Sequence, residues 1–197
     1  MVVAPTDLLW ALIGLLLTIG GTLLEAFTTN LPWSWGNDGI HAYSLGVSYQ
    51  VGAVLLIGCL GGKNAATLSQ IAYLALGIIW FQVFGFQVFD QGGGIGYIRE
   101  PTFGYLLGFV PAAWVCGDLA FRARPKLETL AFSGLCGLLV IHITGLSYLV
   151  LAALFGLTPL PLFQAILAYS VYRLPGQLAV TCAVTVLAFF MRHLMFY

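Results

Sequence analysis

Long apolar runs, separated by short polar breaks, follow one another along most of the chain. A helix that crosses a bilayer needs about 20 mostly apolar residues, and six of the runs come close to that length. They cover residues 8–24, 44–60, 65–84, 105–121, 127–153 and 175–191. A further apolar stretch at 162–172 is too short to span a bilayer, so we expect it to be interfacial or re-entrant. The pattern predicts an all-α integral membrane protein of about six transmembrane helices, with residues 1–197 forming a single transmembrane domain.

The amino-acid composition indicates the same class of protein. Hydrophobic residues make up 60% of the chain and charged residues only 7%, whereas a soluble domain carries roughly 25% charged residues. Because charged side chains are rarely buried unpaired and belong on a soluble surface, so few of them cannot cover a globule of this size. We therefore expect a lipid bilayer around the protein. The formal net charge is zero and no basic block is present, so nucleic-acid binding has no electrostatic support.

The segments between the runs alternate between long and short. Residues 25–43, 85–104 and 154–174 are long, whereas 61–64 and 122–126 are short. Six helices place the long segments on one side of the membrane, and the short segments with both termini on the other. Most basic residues fall on the short-segment side: Lys63, Arg122, Arg124, Lys126 and Arg192. Because cytoplasmic loops carry an excess of Lys and Arg, this side and both termini are predicted to be cytoplasmic, in a plasma membrane of bacterial type.

Catalytic and cofactor-binding patterns are missing from the sequence. There is no GxxxxGK[ST] phosphate loop and no soluble segment to hold an ATPase, so partner subunits would have to do any nucleotide-driven work. The acidic residues and histidines do not cluster at catalytic or metal-ligand spacing, so we expect neither an enzyme nor a metal or cofactor site. The four cysteines are expected to be small buried hydrophobic residues, and His142 a hydrogen-bonded core residue.

Gln50 is a polar residue near the predicted outer end of the second run. A polar side chain at membrane depth is costly and is a functional candidate for that reason. Its amide offers hydrogen-bond donors and an acceptor to a neutral polar ligand. An interhelical hydrogen bond is the alternative interpretation, and the sequence leaves both open.

A glycine-rich segment at 90–105 leads into the fourth run from the outer side. Glycines let the backbone bend sharply and approach a ligand closely. The segment contains Arg99 and Glu100, which form either an ion pair in a loop or part of a ligand site. In the second interpretation Tyr97 and Tyr105 would form amphipathic walls of a binding pocket.

The last run opens with the sequence YRLPGQ at 172–177. A helix N-terminus favours anions, and Arg173 beside it would strengthen binding of a carboxylate. Anchoring of an Arg and a Tyr at the membrane interface is the alternative explanation. Gln177 would add a polar side chain to the same pocket.

The first run carries small residues at intervals of four: Gly14, Thr18 and Thr22. Rows of this kind let two helices approach closely. The row is a candidate for docking a partner subunit, and a neighbouring helix of the same chain is the other possible contact.

Taken together, residues from about 44 to 190 resemble the BioY family, the biotin-binding S component of energy-coupling-factor vitamin transporters. The matching elements are Gln50, the Gly61-Gly62 turn, FDQGGGIGY at 89–97, EPTFGYLLGF at 100–109 and LPG at 174–176. The resemblance implies six membrane helices and a vitamin site closed by outward-side loops. It also implies a membrane coupling subunit and two cytoplasmic ATPases as partners.

The chain departs from the family pattern in the segment that opens the last helix. The family usually carries Asp and, three residues later, Lys, where this chain has Gln177 and Val180. Arg173 or Arg99 is our candidate for the missing positive charge. The leading prediction is a substrate-binding subunit for biotin, binding from the outward side between the first, third and fifth loops. A BioY-like fold reused as an assembly subunit of a membrane complex is the alternative.

The binding prediction rests on seven side chains in all. They are Gln50, Tyr97, Arg99, Glu100, Tyr105, Arg173 and Gln177.

Overall fold

Helices make up most of the structure, a computed structural model that describes residues 4–30, 39, 41–85, 88–89, 92–158 and 160–196. The helices are α1 (Pro5–Leu23), α2 (Gln50–Phe84), α3 (Phe103–Arg122), α4 (Leu127–Leu154), α5 (Leu162–Ile166) and α6 (Leu174–Phe196). A 3₁₀ segment, Ile95–Arg99, precedes α3, and a π-helical turn, Leu167–Val171, joins α5 to the start of α6. Within the described part of the chain, five helical segments are long and apolar enough to cross a membrane. An all-α membrane fold is confirmed.

The second of these segments, α2, folds back on itself at Gly62. This residue has φ 75° and ψ 176°, which only glycine adopts readily. The Gln50 amide donates a hydrogen bond of 2.8 Å to the Tyr73 hydroxyl. In a straight helix these two residues would be about 35 Å apart, so residues 50–61 and 63–84 form antiparallel arms. The arms correspond to the second and third predicted helices, which brings the bundle to the predicted six.

The predicted start of the second helix at residue 44 was wrong. Strand β2 (Ala42–Ser48) occupies that position and pairs antiparallel with β1 (Glu25–Thr29). Its sequence from Ser44 onward alternates polar or small residues with larger apolar ones, which is the two-residue period of a strand. The helix therefore begins at Gln50, directly after the hairpin.

Small residues allow the helices of the bundle to pack closely. A Cβ at Gly108 of α3 would lie 3.0 Å from the Cα of Ile141 on α4. A Cβ at Gly117 of the same helix would lie 2.5 Å from the backbone nitrogen of Lys63. A larger side chain at either position would force the backbones apart, so these glycines set the spacing of α2, α3 and α4.

The small-residue row of α1 packs inside the protein. A Cβ at Gly14 would lie 2.6 Å from Ile57, and Gln70 donates a hydrogen bond of 3.1 Å to Thr18. Thr22 lies 3.1 Å from the Tyr73 hydroxyl. All three residues of the row are buried against the two arms of α2. The prediction that they dock a partner is corrected, because the row binds a helix of its own chain and is not accessible.

Basic residues gather at the end of the bundle opposite the hairpin. Lys63 forms an ion pair of 2.7 Å with Asp118, and Arg122 pairs with the same carboxylate. Arg192 donates a hydrogen bond of 2.8 Å to the carbonyl of Ala120. The grouping of these basic residues at one end agrees with the predicted short-segment side. Its cytoplasmic location stays a prediction.

Candidate functional site

A cavity opens at the hairpin end of the bundle, between β2, the 3₁₀ segment and helices α2, α3, α4 and α6. The empty space is about 730 Å³, which includes the part open to the outside. Its lining combines polar, aromatic and aliphatic side chains. They are Val47, Ser48, Gln50, Val51, Tyr97, Thr102, Tyr105, Leu106, Phe109, Ile141, Tyr169, Arg173 and Gln177.

The structure brings together five of the seven residues proposed from the sequence for ligand binding. They are Gln50, Tyr97, Tyr105, Arg173 and Gln177. The other two, Arg99 and Glu100, are exposed and do not line the cavity. They follow Tyr97 at the end of the 3₁₀ segment, where the chain points its next side chains outward. No ion pair joins them within the described part of the chain.

Arg173 is the one charged side chain among the described residues that line the cavity. It stands immediately before α6 and is half-buried, with its Cζ 6.0 Å from the centre of the Tyr169 ring. A guanidinium that lies over an aromatic ring keeps N–H groups free for a carboxylate. Of the two arginines proposed to supply the positive charge, the structure therefore places Arg173 at the cavity and Arg99 outside it.

Gln50 lies at the cavity wall and also makes an interhelical hydrogen bond, and its binding of a ligand stays a prediction. Its side chain is 9% exposed and lines the cavity, and it also donates the interhelical hydrogen bond to Tyr73. The Tyr73 hydroxyl in turn donates a hydrogen bond of 3.2 Å to the carbonyl of Val88. The contact with Tyr73 uses one amide N–H of Gln50 and fixes the side chain at the cavity wall.

The glycine-rich segment reaches the cavity through Tyr97, while Asp90 and Gln91 lie outside the described residues. The Tyr97 ring packs against Phe89 with centroids 4.9 Å apart. Phe89 in turn lies directly on α2, because a Cβ at Gly77 would be 2.0 Å from its ring. The Tyr97 hydroxyl lies 3.2 Å from Thr102 Oγ1. These contacts hold the segment over the cavity as one wall.

Tyr105 is positioned by a close contact with α4. A Cβ at Gly145 would lie 2.4 Å from Cδ1 of its ring, so glycine at this position leaves the space that the ring occupies. The hydroxyl lies 2.6 Å from Ser170 Oγ in the π-helical turn. The ring therefore has one defined position at the cavity wall.

A hydrogen-bonded histidine lies behind the wall. His142 Nδ1 is 3.2 Å from Ser170 Oγ, and its Nε2 is 2.7 Å from Gln177 Oε1. His142 is 6% exposed and Ser170 is 3% exposed, so the prediction of a hydrogen-bonded core histidine is confirmed. The link from His142 through Ser170 to the cavity was not predicted, because the partners lie 28 and 35 residues away along the chain.

Val180, at the position of the family's lysine, does not line the cavity. It is 3% exposed and packs on α2, where a Cβ at Gly52 would lie 2.7 Å from its Cγ1. The described residues contain no group of His, Cys, Asp and Glu side chains that could hold a metal ion. The site can therefore offer hydrogen bonds, aromatic surfaces and one positive charge.

Comparisons with known proteins identify the family. The BioY family profile matches residues 6–196. A probable biotin transporter BioY from Lysinibacillus sphaericus is 38% identical over 104 residues, which cover 52% of this chain and 50% of that protein. The chain thus matches about half the length of that relative. An uncharacterized 21.2 kDa protein in the psbX-ycf33 intergenic region of Cyanophora paradoxa is 31% identical over 192 residues, 95% of each chain.

The fold matches a solved structure as well. The crystal structure of the S-component for biotin from an ECF-type ABC transporter is similar with a TM-score of 0.68 at 19% sequence identity. The match covers 95% of this chain and 90% of that one. Since the family profile spans nearly the whole sequence, the chain belongs to the BioY family.

Proposed function

We propose that this chain is the membrane substrate-binding subunit of a vitamin uptake transporter and that its ligand is biotin. The observation that carries the proposal is the composition of the cavity, in which the only charged group among the described lining residues is Arg173. A cavity with one positive charge, two amides and several tyrosines suits a monoanion with a polar head and an apolar body. Biotin has this combination, and the names of the related proteins support it.

Each part of such a ligand has a matching surface. The carboxylate would pair with Arg173, because charge-assisted bonds to a guanidinium are among the strongest that a protein side chain makes. The rings would pack between Tyr97 and Tyr105, while Leu106 and Phe109 line the same cavity with apolar surface. The amides of Gln50 and Gln177 would meet the polar head.

The transport role follows from the placement of the cavity. It lies at the hairpin end, away from the basic end that is predicted to face the cytoplasm, so the ligand would enter from outside. The chain has no phosphate loop of its own. Energy for uptake would come from a transmembrane coupling subunit and cytoplasmic ATPases.

Equilibrium binding of biotin to the detergent-purified protein tests the proposal, with two matched arginine variants. Arg173→Ala should weaken binding by about 10- to 150-fold, because a hydrogen bond to a charged group contributes about 1.5–3 kcal/mol. Arg99→Ala removes an equal charge outside the cavity and should leave affinity unchanged. Biotinamide, which lacks the carboxylate, should bind the wild type and Arg173→Ala about equally.

Two outcomes of this experiment would contradict the proposal. If the folded wild type bound no biotin at high micromolar concentration, the chain would not be a biotin receptor. A stable assembly with other membrane proteins would then favour the alternative role in assembly. If Arg99→Ala and Arg173→Ala weakened binding equally, the carboxylate would not be held at the cavity arginine.

A further inference from the structure

Four side chains form one continuous line of hydrogen bonds along the cavity wall. Tyr105 and Gln177, at its two ends, line the cavity, whereas Ser170 and His142 lie behind them. The four residues come from α3, the π-helical turn, α4 and α6. A π-helical turn is uncommon and is often found at functional sites. The line therefore joins two groups that face the ligand through two groups that do not.

The position of the Gln177 oxygen determines the direction of every bond in the line. The oxygen can only accept, so His142 Nε2, at 2.7 Å, must carry the proton. In a neutral imidazole the other nitrogen, Nδ1, is then an acceptor, and Ser170 donates to it. The Ser170 oxygen is left to accept from the Tyr105 hydroxyl, which lies 2.6 Å away. Every donor in the line thus has an acceptor.

This direction decides what the cavity offers to a ligand. With its oxygen held by His142, the Gln177 amide keeps its two N–H groups for the cavity. The Tyr105 hydroxyl donates its hydrogen bond to Ser170, so it presents only lone pairs to the cavity. If the amide were turned over, the Gln177 oxygen would face the cavity as an acceptor, and Ser170 would no longer have to donate to His142.

We infer that His142 is a specificity-determining positioning residue, which holds Gln177 as a hydrogen-bond donor and, through Ser170, holds Tyr105 as an acceptor. The inference rests on the proposed function and extends it, because it names the group that Gln177 would recognise. That group is a hydrogen-bond acceptor such as the ureido carbonyl of biotin. A ligand with a donor at the same place would be disfavoured, since two N–H groups would face each other.

A comparison of two ligands tests this inference. In 2-iminobiotin the ureido carbonyl is replaced by an imino group, which is protonated at neutral pH and acts as a donor. The wild type should prefer biotin, and His142→Phe should reduce the ratio of the two affinities by roughly tenfold, the effect of one or two hydrogen bonds. Phenylalanine keeps the edge-on contact with the Tyr105 ring, now 5.9 Å between centroids, but releases the Gln177 amide to rotate.

His142→Gln provides the conservative rescue. Its side-chain N–H can replace the Nε2 donor to Gln177, so the preference for biotin should largely return. If His142→Phe lowered the affinities for both ligands equally, the histidine would serve packing alone and the inference would be overturned. Failure of the wild type to bind biotin would instead refute the proposed function.

Nitrogen NMR of the ligand-free protein tests the inference without any ligand. The chain contains three histidines, so ¹⁵N-histidine labelling gives a small set of signals, and the one lost in His142→Gln identifies residue 142. We expect a protonated Nε2 and an unprotonated Nδ1. The opposite tautomer, or an even mixture of the two, would overturn the fixed direction of the hydrogen bonds whether or not biotin binds.

Discussion

The contact between Gly145 and Tyr105 allows the shape of the cavity wall to be tested with one added methyl group. In Gly145→Ala the new Cβ would lie 2.4 Å from Cδ1 and 2.5 Å from Cε1 of the Tyr105 ring. Carbon atoms in contact are about 3.5 Å apart, so the ring would have to retreat by roughly 1 Å. A retreat of this size would lengthen the 2.6 Å contact between the hydroxyl and Ser170 Oγ beyond a normal hydrogen bond.

We expect Gly145→Ala to weaken biotin binding by about fivefold or more, because overpacking of this kind costs about 1–3 kcal/mol. Titration of the detergent-purified protein with biotin measures the loss. Gly20→Ala is the matched control, since Gly20 is also helical and has no atom within 4 Å of its added Cβ. The control should bind as the wild type does. Equal affinity of the two variants would refute the view that the ring position decides binding.

Two further substitutions test the framework around the cavity. Gly62→Ala should lower the free energy of unfolding by about 1–3 kcal/mol, because φ 75° and ψ 176° strain any other residue. Thermal unfolding in detergent measures this change. Unchanged stability would contradict the tight turn at Gly62. Tyr73→Phe removes the hydroxyl that accepts from Gln50 and should cost about 1–3 kcal/mol of stability. Biotin affinity should fall with it. If the variant lost stability but bound biotin normally, Gln50 would not contribute to ligand binding.

Much of the fold was predictable because a bilayer demands apolar runs of a definite length. The six predicted runs correspond to six helical segments, two of which are the arms of α2 on either side of Gly62. The resemblance to BioY, drawn from a few short motifs, is confirmed by the family profile over residues 6–196. A relative and a similar solved structure carry the names of biotin transporter proteins, in agreement with the prediction that the chain is not an enzyme.

The errors in the predicted fold arose where the hydropathy of a segment was considered without the spacing of its apolar residues. Residues 44–48 are apolar enough to extend the second helix, but their alternation with a period of two marks them as part of strand β2. The row at Gly14, Thr18 and Thr22 correctly indicated a close helix contact. Its partner could not be read from the spacing, because an intramolecular and an intermolecular contact require the same small residues.

Of the seven side chains predicted to bind a ligand, five line the cavity, and their role in binding stays a prediction. Arg99 and Arg173 both stand in outer segments beside tyrosines, and only the course of the backbone separates the exposed arginine from the one at the cavity. The sequence identified His142 as a core residue but gave no sign of its neighbours. Its hydrogen-bond partners come from other segments, and their distances along the chain follow no regular spacing.

The two departures from the family pattern are best explained together. Exchange of an acid for Gln177 removes one negative charge, and exchange of a base for Val180 removes one positive charge, so the sum of charges is unchanged. Val180 packs against α2, while Gln177 is hydrogen-bonded to His142, and neither position requires a counter-ion. Arg173 is then left without a competing carboxylate among the described cavity residues. With the proposed function, a cavity of this kind would keep its attraction for a monoanion and would recognise the polar head through directed, uncharged hydrogen bonds.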